Sequence, residues 1–150
     1  MPQEFRLQKV LELAESQTQT AAANLGALHR QLEQHEEKLR LLFKYRDEYQ
    51  ERLRRATTDG VDGPKLRNYH DFMQRLENAI MQQHAVIVDA HARVEGGRRE
   101  WQYKQRKSKA FDTLSQRFVD ATRRHDATRD QKVQDAFASR HATAKLQSRR

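Results

Sequence analysis

From Leu7 to Ala56 one series of positions recurs at alternating steps of four and three, and no proline interrupts it. The series is Leu7, Leu11, Ala14, Thr18, Ala21, Leu25, Leu28, Leu32, His35, Leu39, Leu42, Arg46, Tyr49, Leu53 and Ala56, and twelve of the fifteen are apolar. A strict 3.5-residue repeat keeps one stripe against a partner only where two helices supercoil. The stretch predicts a helix of roughly 75 Å, at ~1.5 Å per residue, wound on a second helix.

That second helix follows in the same chain. Leu66, Tyr69, Met73, Leu76, Ile80, Gln83, Ile87, Ala90, Val94, Gly97, Trp101, Lys104, Ser108 and Phe111 repeat the spacing. Between the two series lies Thr57-Thr58-Asp59-Gly60-Val61-Asp62-Gly63-Pro64, the densest cluster of turn formers. Glycines admit positive φ, and a proline cannot continue the first helix. The prediction is all-α: a long antiparallel two-helix coiled-coil hairpin forming one domain. Helix 1 is placed at about 3–57, the turn at 58–65, helix 2 at about 66–140 and a frayed tail at 141–150.

A turn centred near residue 61 pairs residues whose numbers sum to 122. Leu32 then meets Ala90, Leu28 meets Val94, Tyr49 meets Met73, and Leu25 meets Gly97. In Leu25 against Gly97 and Ala21 against Trp101 a large residue faces a small one, as a packed layer requires. Three irregularities are expected along helix 2. Gly96-Gly97 predicts a bend or fraying, since each glycine costs about 1 kcal/mol in a helix interior. The run Phe111, Leu114, Phe118, Ala121 predicts local overwinding. Residues from Phe118 to Ala138 outlast helix 1 and should continue as a single-helix overhang.

Composition decides what such a hairpin can do. Apolar residues make up 36% and charged ones 33%, too polar for an enclosed core. Cysteine is absent, which excludes a disulfide framework and thiolate chemistry. No apolar run approaches the roughly 20 residues that cross a bilayer, and the prediction is a cytoplasmic protein. The net charge of +8 is confined to one end. Residues 1–95 carry 14 Lys+Arg against 15 Asp+Glu, whereas residues 96–150 carry 15 against 6, a balance of +9. An acidic partner there is one reading, and a solvated helix end is the other.

Catalytic patterns are missing: no phosphate-cradling glycine loop, zinc spacing or nucleophile elbow occurs. His84 and His91 lie seven apart on one face, whereas helical metal sites use spacings of three or four. No catalytic residue, metal or cofactor is predicted. Flanking residues are more informative. With Leu39 at heptad position a, Lys38, Tyr45 and Arg52 fall at g, as do Phe72, Ala79 and Val86. In an antiparallel pair these share one side of the seam, so Tyr45, Phe72, Ala79 and Val86 form an apolar ridge. The opposite side carries Glu36, Phe43, Gln50, His70, Glu77 and His84. The ridge either widens the core or docks a partner.

A set of short patterns runs along the chain: Leu13-Ala14-Glu15, Ala21-Ala22, Leu25-Gly26, and Leu39, Leu42, Tyr45, Glu48 and Tyr49. After the turn it continues in Asn68-Tyr69, Phe72, Leu76-Glu77 and Ala79-Ile80, then Trp101 and the tail from Asp130 to Ala138. Together these residues resemble the FliJ family of flagellar export proteins. The resemblance implies a non-catalytic, stalk-like component of the flagellar type III export apparatus, at the inner-membrane base of the flagellum. Implied partners are the hexameric export ATPase FliI, its associate FliH, the export gate FlhA and export chaperones, with no nucleic acid. It makes Leu42, Tyr45, Tyr49, Phe72, Leu76 and Ala79 the expected gate-docking residues. The basic overhang, with Arg123, Arg124, Arg129 and Lys132, is expected to meet the ATPase ring and promote its assembly and activity. A basic coiled coil that binds nucleic acid, or a structural tether, is the alternative.

Overall fold

The computed structural model describes residues 2–149. Helix α1 spans Pro2–Asp59 and helix α2 spans Gly63–Ser148, so only Gly60, Val61 and Asp62 join them. Gly60 has φ 87°, a left-handed conformation that glycine adopts without a Cβ clash, and it ends α1. Asp62 starts α2: its Oδ1 accepts the Lys65 N–H at 3.0 Å and its carbonyl accepts the Leu66 N–H at 3.1 Å.

The turn is therefore shorter than the predicted 58–65. Thr57 and Thr58 remain helical, with hydroxyls donating to the Leu53 and Arg54 carbonyls at 2.7 and 2.9 Å. Gly63 and Pro64 lie inside the first turn of α2, where a missing N–H leaves no bond unmade. Pro64 thus opens the second helix rather than closing the first. At the other end α2 runs to Ser148, past the predicted stop near 140 and through most of the expected frayed tail. Arg150 lies outside the described residues.

Contacts divide the chain into two compact units. The first to consider is Thr18–Tyr103, the two arms nearest the turn. Its seam buries Ala21 and Leu32 on α1 and Leu76, Ile80, Gln83, Ala90 and Val94 on α2. Leu32, Ala90 and Val94 form one cluster, with Leu25, Leu28 and Ile87 packed on it, in keeping with the predicted register. The seam holds one polar layer: the buried Gln83 amide donates to the His35 carbonyl at 2.8 Å, which satisfies a polar group that would otherwise cost about 1–3 kcal/mol.

Helix α2 continues unbroken through Gly96-Gly97. Packing explains Gly97: a Cβ there would sit 2.7 Å from Leu28 Cδ1 and 3.5 Å from Leu25 Cδ1. The glycine is the hollow that receives two leucines. Gly96 faces open space, with nothing within 4 Å of its absent Cβ. Gly96→Ala should therefore raise stability by about 1 kcal/mol through helix propensity alone. Gly97→Ala should gain less or lose, because Leu28 must move. Urea melts of the two variants separate these effects; equal gains would mean that the close approach is absent.

The other unit comprises Met1–Gln17 and Lys104–Arg150. Leu11 and Ala14 are buried, and on α2 Lys104, Ser108, Phe111, Ser115, Phe118 and Thr122 are half-buried. Their spacing of four and three never breaks. The predicted overwinding is thus corrected: Leu114 and Ala121 are exposed, and Ser115 and Thr122 take the inward positions. Thr122 can do so because its hydroxyl donates to the Phe118 carbonyl at 2.9 Å. From residue 123 to 149 every residue is exposed, although the helix persists to Ser148. The unpartnered segment therefore begins at Arg123, five residues later than predicted.

Candidate docking surfaces

Within Thr18–Tyr103 the seam separates two chemically different flanks. The ridge flank carries Gln31, Lys38, Tyr45 and Arg52 from α1 and Lys65, Phe72, Ala79, Val86 and Arg93 from α2. Tyr45 is 49% exposed, Val86 39% and Phe72 36%, and Ala79 is half-buried. Phe72 is nevertheless anchored: its ring stacks on Tyr49 at 4.0 Å, and Tyr69 meets Tyr49 edge-on at 6.3 Å. The sequence register set Tyr49 against Met73, but the aromatic stack draws Tyr49 toward Phe72. The Arg52 guanidinium stands 5.4 Å from the centre of the Tyr49 ring.

The six residues expected to dock the gate are not equally accessible. Tyr45 and Phe72 are exposed, Leu42, Tyr49 and Ala79 are half-buried, and Leu76 is a seam residue at 7% exposure. Leu76 can support such a surface but not touch a partner widely. Two grooves lie along this flank. One, of about 490 Å³, is lined by Tyr49, Arg52, Lys65, Asn68, Tyr69 and Phe72. The other, of about 440 Å³, is lined by Gln31, His35, Val86, Arg93 and neighbours. Arg52, Lys65, Asn68 and Tyr69 were not in the sequence-derived set. The shared flank position of Arg52 and Lys65 was the available signal.

The opposite flank is polar and already engaged with itself. Phe43 lies 6.0 Å from the His84 ring and 4.8 Å under the Arg46 guanidinium. Glu36 lies 3.7 Å from His91 Nε2. Near the turn, Glu51 binds two arginines, Arg54 at 2.7 Å and Arg55 at 3.2 Å. The hydrogen bond from Arg54 draws the Glu51 carboxyl down to about 2, so the cluster stays paired far below neutral pH.

The basic end, in the other unit, is arranged differently. Arg123, Arg124, Arg129 and Lys132 are all exposed. Only Arg129 has a carboxylate in reach, Asp126 at 3.8 Å; among the described residues the other three have none within 4 Å. Val133 and Phe137 lie on the same helix at 63% and 68% exposure. Among the described residues, no three His, Asp or Glu side chains converge to hold a metal ion, and no helix is long and apolar enough to cross a membrane.

Two long helices packed against each other, with no strand among the described residues, define an all-α coiled-coil protein. The chain belongs to the FliJ family, matching the family model described as Flagellar FliJ protein over residues 3–147. It is 32% identical to the Flagellar FliJ protein of Salmonella typhi over 145 residues, covering 97% of this chain and 99% of that one. The Flagellar FliJ protein of Escherichia coli (strain K12) matches with the same identity and coverage. In fold the chain is similar to the solved structure of a chain described as a YscO homolog from Chlamydia trachomatis. That match has a TM-score of 0.50 and 13% identity, and covers 98% of this chain and 95% of the other.

Proposed function

We propose that this flagellar export component is a non-catalytic coupler that binds the export gate FlhA on its ridge flank and the FliI ATPase ring through its basic end. FliH and the export chaperones complete its set of partners, and it sits in the cytoplasm at the inner-membrane base of the flagellum through those contacts. The observation that carries the reading is the ridge itself: Tyr45, Phe72 and Val86 stand more than a third exposed beside a buried seam. Aromatic side chains held rigidly at a surface are the usual anchors of interfaces.

Tyr45→Ala combined with Phe72→Ala tests this. Losing the stack on Tyr49 should cost folding only about 1 kcal/mol, since neither residue belongs to the buried seam. Binding to the gate should fall by about tenfold or more, as expected for paired anchors. Thermal melting by circular dichroism is measured beside gate pull-down. A large melting loss with unchanged gate binding would assign both aromatics to the core.

A further inference from the structure

The two flanks of the seam differ in charge as well as in apolarity. Between residues 31 and 93 the ridge flank has nine positions, of which four are Lys or Arg (Lys38, Arg52, Lys65, Arg93) and none is acidic. The other flank, from Glu36 to His91, holds two glutamates, three histidines and no Lys or Arg. Arg93 is paired with Asp89 at 2.9 Å. Among the described residues, Lys38, Arg52 and Lys65 have no carboxylate within 4 Å, although nearby Arg54 and Arg55 share Glu51. Arg52 and Lys65 line one groove together with Tyr49, Tyr69 and Phe72.

We infer that the ridge flank takes an acidic segment of its partner, one whose carboxylates bracket an apolar anchor. The anchor packs on Tyr45 and Phe72. Carboxylates on one side meet Arg52 and Lys65, and those on the other meet Lys38. Lys38 and Arg52 are 14 residues apart on one helix, which places the outer carboxylates about 21 Å apart at 1.5 Å per residue. A desolvated guanidinium or ammonium without a partner is costly, so burying these three cations under a neutral or basic surface is disfavoured. Specificity follows from that cost as much as from attraction.

The inference rests on the gate-docking reading, and two sets of variants separate them. The charge set is Arg52→Glu with Lys65→Glu, and the anchor set is Tyr45→Ala with Phe72→Ala. Both are measured for gate pull-down and for anisotropy with a labelled glutamate-rich peptide carrying a central leucine, beside its lysine-rich and glutamine-rich counterparts. The glutamate peptide alone should bind, more weakly as salt screens the pairs. The charge set should reduce both gate and peptide binding by about tenfold or more. If the anchor set loses the gate while the charge set retains it, the acidic-segment inference is overturned and docking survives. If the anchor set retains the gate while the charge set loses the peptide, docking on the ridge is wrong and the flank serves another acidic partner. Equal binding of the three peptides would overturn the inference outright.

Discussion

Glutamate at Arg123, Arg124, Arg129 and Lys132 together is expected to abolish the proposed contact with the ATPase ring, read as loss of any stimulation of ring activity, while leaving the hairpin's melting transition nearly unchanged. All four residues lie on the exposed helical segment from 123 to 148, so reversing them removes no buried contact. A solvent-exposed ion pair contributes at most about 1 kcal/mol, so a single reversal should reduce stimulation only several-fold. Reversing four turns attraction into repulsion along one helix, and the effects accumulate. Wild-type stimulation should also weaken as salt rises, because the groups are exposed and screened within about 10 Å at 0.1 M. Stimulation by the reversed protein equal to wild type, at low and moderate salt alike, would reduce the basic end to a solubilising tail. Tight binding of duplex DNA by the wild type, with a steep salt dependence, would favour a nucleic-acid partner instead.

The second large effect is on stability. Val94→Asp places a carboxylate at a position only 4% exposed, in a cluster with Leu32 and Ala90. An unpaired buried charge costs about 3–5 kcal/mol even after the structure relaxes. For a two-helix protein with a seam in place of an enclosed core, that is much of the stability available. The variant should lose most of its helical circular dichroism near 37 °C and recover part of it at low pH, where the carboxyl is protonated. Val94→Ala, which removes two methyl groups and adds no charge, should cost about 1–3 kcal/mol. Equal melting curves for the aspartate variant and wild type would show that Val94 is not in the seam.

The hairpin was legible because its apolar residues keep one period across a hundred residues, and periodicity survives exchange of the individual side chains. What misled was reading single residue types outside their packing. Gly97 reads as a helix weakener, yet Leu28 and Leu25 occupy the space its missing Cβ leaves. Leu114 reads as more apolar than Ser115, but heptad spacing turns the serine inward. Pro64 reads as a stop, although a proline in the first helical turn is a start signal as well. The ridge was visible from heptad position alone. Its grooves were not, because the Tyr49–Phe72 stack that shapes one of them depends on rotamers that periodicity does not specify.

The three-residue turn also has a kinetic consequence. Tyr49 and Phe72 are 23 residues apart, and Leu32 and Ala90 are 58 apart. Closing the larger loop directly from the unfolded chain costs about 0.8 kcal/mol more in entropy than closing the smaller one. Once the turn and the aromatic stack have formed, each further layer adds only a short stretch of chain to an existing pair. Assembly outward from the turn, one heptad at a time, therefore avoids most of the long-range search that makes other topologies slow.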